Sequence, residues 1–256
     1  MDSSDRVVSH YVYRANASGA GGRFWRVLED RSERVVPTRS SISLPVTGGR
    51  GRSEFEGYTI RAGKLDVLRT GPVVCQAETR GDLAAQTTST HVASEAWDVW
   101  LHPGFEIPYL KGELKSASTA KDEFAPIRTG DCVLREIRLG DRVVMVDLNL
   151  DTFRKCDTWE EMRNELKERP RAMLDSSKGV IVANIVEHLR LVGDDDPRIQ
   201  IKGNTIHWDN FGWIIVGEIL ISRQYRRLTM VRLELGSDME GSVSLGEVET
   251  DGHTVP

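Results

Sequence analysis

The sequence predicts a mainly β protein, an antiparallel β-sandwich or flattened barrel with one amphipathic helical insert at about residues 157–174. Three observations predict it. Apolar residues recur with a period of two through most of the chain. Gly, Pro and Asp punctuate these runs roughly every ten residues. A helical period breaks through clearly in one place, from Asp157 onward. With 256 residues, 39% of them hydrophobic and 29% charged, the chain has material for one sizeable core and is taken as a single domain over 1–256.

In chain order, Val7 to Arg14 is β-branched and aromatic and is expected to form a strand that ends at the glycine-rich Ser18–Gly22. Arg23–Leu28, Ser41–Pro45 and Glu54–Arg61 follow as strands, with a glycine turn at Gly48-Gly49. Further runs lie at 72–79 and 83–93. The clearest local signal is a hairpin. Val133, Arg135, Ile137 and Leu139 lead to Gly140-Asp141, after which Val144, Val146, Leu148 and Leu150 resume the alternation. Glycine at the first central position suits a type II′ turn, because that position needs a positive φ.

The helix starts at a capping box, Asp157 or Thr158 with Glu160 or Glu161 three residues on, and Trp159, Met162 and Leu166 recur at helical spacing. Pro170 marks its end or a second short turn through Leu174. Residues 180–192 return to strand, although Ile185–Leu191 also fits a helical turn or two. Asp194-Asp195-Asp196-Pro197 is expected to be a solvated loop. Gly212–Ile221 is nearly continuous in apolar character, as a central strand should be. Arg227–Leu235 alternates, with Thr229, Val231, Leu233 and Leu235 on one face, and Ser242–Val248 supplies a last strand. No segment alternates strands with helices, which disfavours a parallel βαβ architecture.

Composition also bounds function. A net charge of -5 disfavours a nucleic-acid partner, which would call for a basic face. The polar Met1–Arg6 start is not followed by an apolar run, so no secretion signal is expected. The longest apolar stretch, Trp213–Val216, is too short for a membrane span. Cys75, Cys132 and Cys156 are odd in number, widely spaced and without a metal-type pair, and are expected to be free thiols in a cytoplasmic setting.

Leu44-Pro45-Val46-Thr47-Gly48-Gly49, together with Gly246-Glu247-Val248-Glu249-Thr250-Asp251-Gly252-His253, resembles a group of uncharacterised bacterial β-rich proteins. The resemblance covers most of the chain and rests on turn chemistry. It implies a β-rich fold and carries no activity.

Four clusters have the residue types for chemistry. Asp98 with Glu113-Leu114-Lys115 resembles the core of a metal-dependent nuclease family, in which Asp and Glu hold Mg²⁺ and the Lys steadies the attacking water. Residues i and i+2 share a strand face, so Glu113 and Lys115 should lie together. The substantial helix that the family places after the Lys has no counterpart here, and the competing expectation is that Lys111, Glu113 and Lys115 form the wet face of an edge strand. His207-Trp208-Asp209 with His253 is similar to the facial triad of Fe(II)/2-oxoglutarate oxygenases, but the arginine that follows the last His in those enzymes is missing. Arg50 and Arg52, in the glycine-rich 48–53 loop, offer guanidinium forks to an anionic ligand. Trp97, Val99 and Leu101 should share a strand face opposite Trp100. Without a coherent catalytic constellation, the leading expectation is a non-catalytic, soluble binding or self-assembly module. It would need no cofactor and would partner a second copy of itself or another protein. Long sheet edges that must be paired or covered motivate the self-assembling form. The alternatives are a metal-dependent hydrolase (Asp98, Glu113, Lys115) and a β-barrel oxygenase (His207, Asp209, His253).

Overall fold

The computed structural model describes residues 10–27, 33–45, 47–82, 85, 87–119, 122, 126–167, 173–175, 179–223, 225–236 and 238–255. The strands are β1 (His10–Val27), β2 (Arg34–Ser43), β3 (Gly49–Phe55), β4 (Tyr58–Ala62), β5 (Leu65–Thr70), β6 (Val73–Asp82), β7 (Thr87–Leu101), β8 (Phe105–Thr119), β9 (Ile127–Thr129), β10 (Val133–Leu134), β11 (Glu136–Leu139) and β12 (Arg142–Leu148). Two helices follow, α1 (Asp151–Lys155) and α2 (Trp159–Lys167). The chain then returns to strand in β13 (Met173–Asp175), β14 (Val180–Asn184), β15 (Val186–Leu191), β16 (Ile199–Lys202), β17 (Thr205–Trp208), β18 (Gly212–Ile221), β19 (Tyr225–Leu235) and β20 (Met239–Val255).

These strands make two antiparallel sheets, and neither closes into a barrel, so the fold is a sandwich. The first runs β13-β14-β18-β19-β20-β1-β2, with the β16–β17 hairpin also attached to β18. The second is built on β7 and β8, which pair along their whole length. The far side of β7 carries β6 and then β5, and the far side of β8 carries β9, β10 and β11 in turn. The core between the sheets is apolar. Phe105 and Phe211 stack at 5.5 Å, and Phe24, Leu110, Ile107 and Leu228 are fully buried. Helix α1 is pinned by buried Phe153 and α2 by Met162 and Leu166. Among the described residues no helix is long and apolar enough to cross a membrane.

The expected hairpin forms about its turn, with Leu139 opposite Arg142 across Gly140 (φ 62°) and Asp141, but Val133 and Leu134 pair with β8 instead, and Leu150 leaves the strand to cap α1. The capping box also forms: Thr158 Oγ1 accepts from the Glu161 N–H at 3.1 Å, while Glu161 Oε2 accepts from the Asp157 and Thr158 N–H groups. Gly212–Ile221 is central, and Ile185–Leu191 is extended apart from Ile185.

Several boundaries differ. The Gly19–Gly22 run does not turn but lies inside β1. A Cβ on Gly19 would stand 1.8 Å from Val73 Cγ1, so Gly19 admits close packing of the opposing sheet, while Gly21 and Gly22 make room for Thr38 and the Ser242 carbonyl within their own sheet. Gly48-Gly49 does turn, but Arg50 and Arg52 lie on a regular strand, β3, and not in a flexible loop. The expected strand 54–61 is broken at Gly57 (φ 134°), where a Cβ would meet the Thr70 carbonyl at 2.5 Å. Helix α1 lies outside the expected insert, and Met173–Asp175 is extended, so of the two expectations after Pro170 the second short turn through Leu174 does not form. Residues 7–9 and 168–172 lie outside the described residues.

Strand edges are short. β3, β4, β13, β15 and β16 have seven, five, three, six and four residues. The ten-residue β2 carries Pro37 and a left-handed Ser40 (φ 55°), both of which interrupt a pairing edge.

Candidate functional site

Glu113 is the residue around which the site is built. It is on the outer face of β8, where a charged side chain would ordinarily be wet, yet it is 2% exposed. β8 is not an edge strand, since β7 and β9 flank it. The segment after β9 folds back over the carboxylate: the Gly130 N–H donates to the Glu113 carbonyl at 2.9 Å, and the Asp131 N–H donates to Oε2 at 3.2 Å. Gly130 is required for this closure, because a Cβ there would stand 2.5 Å from Glu113 Cδ.

Three side chains converge on the buried carboxylate. Lys115 Nζ lies 2.6 Å from Oε1, His91 Nε2 lies 2.9 Å from Oε1, and Lys111 Nζ lies 2.9 Å from Oε2. Lys111 and Lys115 share the face of Glu113 by the two-residue period, and His91 is the cross-strand partner of Lys115. Because an ionised carboxylate only accepts, His91 must carry a proton on Nε2 and donate it to Oε1. Burial pushes the Glu113 carboxyl up. The hydrogen bonds from His91, Lys115 and Lys111 outweigh it and hold the group well below the usual carboxylate range.

Above this hub opens a cleft of about 650 Å³, lined by residues of β6, β7, β8, the β9 segment and α1. Arg80, Lys115, Arg128 and Arg154 bring four cations to its walls, against Glu78 and Asp131. Each guanidinium is steadied. Arg154 donates to the Gly130 carbonyl at 2.7 Å and reaches Asp131 at 3.2 Å. Arg128 donates to Asp157 at 2.6 Å, and Arg80 to Glu78 at 2.7 Å. Adding Lys111, Glu113 and Asp157 gives five cations against four acids, a locally positive cleft in a chain of net charge -5. Pocket volumes of this order suit small-molecule ligands.

The expected clusters fare differently. Glu113 and Lys115 do meet. Asp98 does not join them: Glu113 pairs with Ala93, five residues away on β7, which at about 3.3 Å per residue is roughly 17 Å. Asp98 lines another cleft, and the Glu113 oxygens are already engaged by four donors. His207 and Asp209 approach to 3.6 Å. The register runs from His207 to Trp213, Glu234 and Ser242, while His253 is eleven residues further along β20, about 35 Å away by strand rise. The backbone therefore keeps the two histidines apart, and no group of three metal-ligating residues occurs among the described residues. Arg50 and Arg52 project from β3 as exposed side chains, Arg52 bridging Glu54 at 3.0 Å. Asp196 is not solvated but buried, held by Arg198 through two guanidinium hydrogen bonds of 3.0 and 2.7 Å and one from the Arg198 backbone N–H at 3.0 Å.

Trp97 does not share a face with Val99 and Leu101. Asp98 adopts a left-handed conformation (φ 49°), which slips the alternation by one residue: Ala96, Val99 and Leu101 are buried, and Trp97 packs outside on Tyr109 at 5.1 Å. The cysteines are free and buried, as expected. Compared with family models, curated proteins and solved structures, the chain matches none of them.

Proposed function

We propose that the chain is a non-catalytic binding module that takes the carboxylate or phosphate group of a small ligand in the cleft above Glu113. The observation that carries this reading is the convergence of Arg80, Lys115, Arg128 and Arg154 on one cleft, each held in place by a neighbouring acid or by a carbonyl. Guanidinium forks match planar or tetrahedral oxyanions, and preorganised forks lose little entropy on binding. Glu113 is the anchor. It fixes Lys115 and His91 rather than offering open lone pairs to a metal ion.

The self-associating form of this reading has less support, because the strand edges are short or interrupted. The hydrolase form would require Asp98 and Glu113 in one cleft, and the oxygenase form would require His207 beside His253. Three buried thiols support a reducing compartment such as the cytoplasm.

Calorimetric titration with inorganic phosphate and with citrate tests the proposal. Saturable binding is expected with one of them, weakening as salt rises, and Arg154→Ala with Lys115→Ala should weaken it about tenfold or more, the loss of one charge-assisted hydrogen bond. Absence of binding by both anions, or binding that the double variant leaves unchanged, would overturn it.

A further inference from the structure

A second cleft on the outer face of the same sheet has different chemistry. Thr59, Arg69, Trp100, Glu106 and Arg138 form one row across β4, β5, β7, β8 and β11, each the direct cross-strand partner of the next. Such partners project on the same face with Cβ atoms about 4.5–5.5 Å apart, so the five side chains make a continuous band. The Arg69 guanidinium stacks over the Trp100 ring, 4.4 Å from its centroid, and Arg138 donates to Glu136 at 2.7 and 2.9 Å while lying 3.9 Å from Glu106.

This row lines a cleft of about 400 Å³, together with Asp98 and Thr70. The left-handed Asp98 breaks the strand alternation and brings its carboxylate to the cleft, where it makes no hydrogen bond or ion pair among the described residues. Non-glycine residues adopt such a φ rarely, and they cluster where function requires them. The buried Thr70 hydroxyl also has no hydrogen-bond partner among the described residues.

Two guanidiniums and two carboxylates line this cleft, and Glu136 just outside it neutralises Arg138, so it has no positive excess, unlike the cleft above Glu113. An anionic ligand would face Asp98 and Glu106, and a cationic one would face Arg69 and Arg138. A flat apolar ligand would strip water from all four without replacing its hydrogen bonds. A sugar satisfies these groups: its hydroxyls donate to carboxylates and accept from guanidiniums, and its C–H groups pack on the part of the indole that the Arg69 guanidinium leaves exposed to the cleft. We propose that this cleft binds a neutral hexose, free or as a residue of a longer glycan, with Trp100 as platform and Asp98 as hydroxyl acceptor.

The test titrates the whole chain with glucose, galactose and mannose, and with malto- and cellohexaose, by calorimetry and tryptophan fluorescence. Saturation by a monosaccharide or by a hexasaccharide alone supports the site and identifies which source it takes. Asp98→Asn should weaken binding about tenfold or more, the loss expected for one hydrogen bond to a charged acceptor; asparagine tolerates the left-handed conformation, so the backbone is kept. Trp100→Ala should weaken it at least as much, and Trp100→Phe, which preserves packing, by less. Lys115→Ala should leave sugar binding unchanged, which separates this site from the anion cleft. The proposal is overturned if no sugar saturates, or if Asp98→Asn and Trp100→Phe both bind as the parent does.

Discussion

Glu113→Gln is the perturbation that most directly interrogates the buried hub. The wild-type carboxylate accepts from Lys111, Lys115, His91 and the Asp131 N–H. Glutamine keeps the volume and one oxygen, but it turns an amide donor toward a cluster in which Lys111, Lys115 and the Asp131 N–H only donate and His91 accepts only by changing tautomer. Removing one member of a buried ionic cluster typically costs about 3–5 kcal/mol. Here the Lys115 side chain is 52% exposed and that of Lys111 23%, so both ammoniums can swing toward water and recover part of that cost. The expected destabilisation is about 2–4 kcal/mol at pH 7, or roughly 5–15 °C in Tm for a chain of this size. The pH dependence gives a second readout. The folded carboxyl is held below its ordinary value of 4.5, so the unfolded state takes up the proton first as the solution is acidified. The contribution is therefore complete above about pH 4.5 and lost below it, at up to about 1.4 kcal/mol per pH unit. Urea unfolding followed by tryptophan fluorescence between pH 3 and 7 should show a shallower acid limb for the variant. A variant within about 0.5 kcal/mol of the parent at pH 7, with an identical acid limb, would refute the account of the hub.

Three further outcomes follow from the packing. Gly130→Ala places a methyl 2.5 Å from Glu113 Cδ and should cost about 1–3 kcal/mol in urea unfolding, whereas Gly236→Ala, with open space around it, should stay within about 0.5 kcal/mol. Arg226 is 3% exposed, and its Nη1 has no hydrogen-bond partner among the described residues; burial brings its pKa down to about 10, so it stays charged at pH 7. Arg226→Met should accordingly leave stability unchanged or raise it by about 1–4 kcal/mol, and a loss of more than about 1 kcal/mol would mean that the guanidinium has a counter-charge. Burial raises the pKa of all three thiols, that of Cys132 to about 12. A disulfide-exchange reagent at pH 8 should label none of them within minutes in the folded chain and all of them after unfolding.

The β architecture was legible because the two-residue period is written along the backbone and needs no knowledge of partners. Gly140-Asp141 and the Thr158–Glu161 box were equally legible, since each is fixed by a few neighbouring residues. Glu113 and Lys115 could be placed on one face by the same period, but the burial of that face could not be foreseen, because it depends on the Gly130–Cys132 segment folding back over it. His91 was missed although a signal existed: a turn at His102-Pro103-Gly104 makes β7 and β8 a symmetric hairpin, and counting outward from Leu101 and Phe105 pairs His91 with Lys115. Arg154 left no such trace, because α1 is one turn long and its place beside β9 is set by tertiary packing. At Asp98 strict alternation gave the wrong face for Trp97. A single left-handed residue reverses the count for everything beyond it, and aspartate at that position is no more conspicuous in a sequence than any other polar residue.

The cost structure of the hub bears on why it is there. Burying a carboxylate with two ammoniums and an imidazole is seldom better for stability than packing apolar residues of the same volume, because the desolvation of the ions offsets most of their attraction. A leucine at position 113 with shorter polar neighbours would close the same face of β8 beneath Gly130 at less expense. What an apolar plug would not do is hold the Lys115 ammonium and the His91 ring at defined positions on the floor of a cleft whose walls carry three guanidiniums. Left on a solvated strand face, both side chains would sample several rotamers, and each would have to be ordered whenever a ligand arrived, at about 0.5–1.5 kcal/mol per side chain. The hub moves that ordering cost from binding to folding. If this is the reason for the arrangement, Glu113→Gln should weaken anion binding beyond what its stability loss explains. The weakening should persist at temperatures where the variant is fully folded, and it should be visible as a more unfavourable binding entropy in calorimetry.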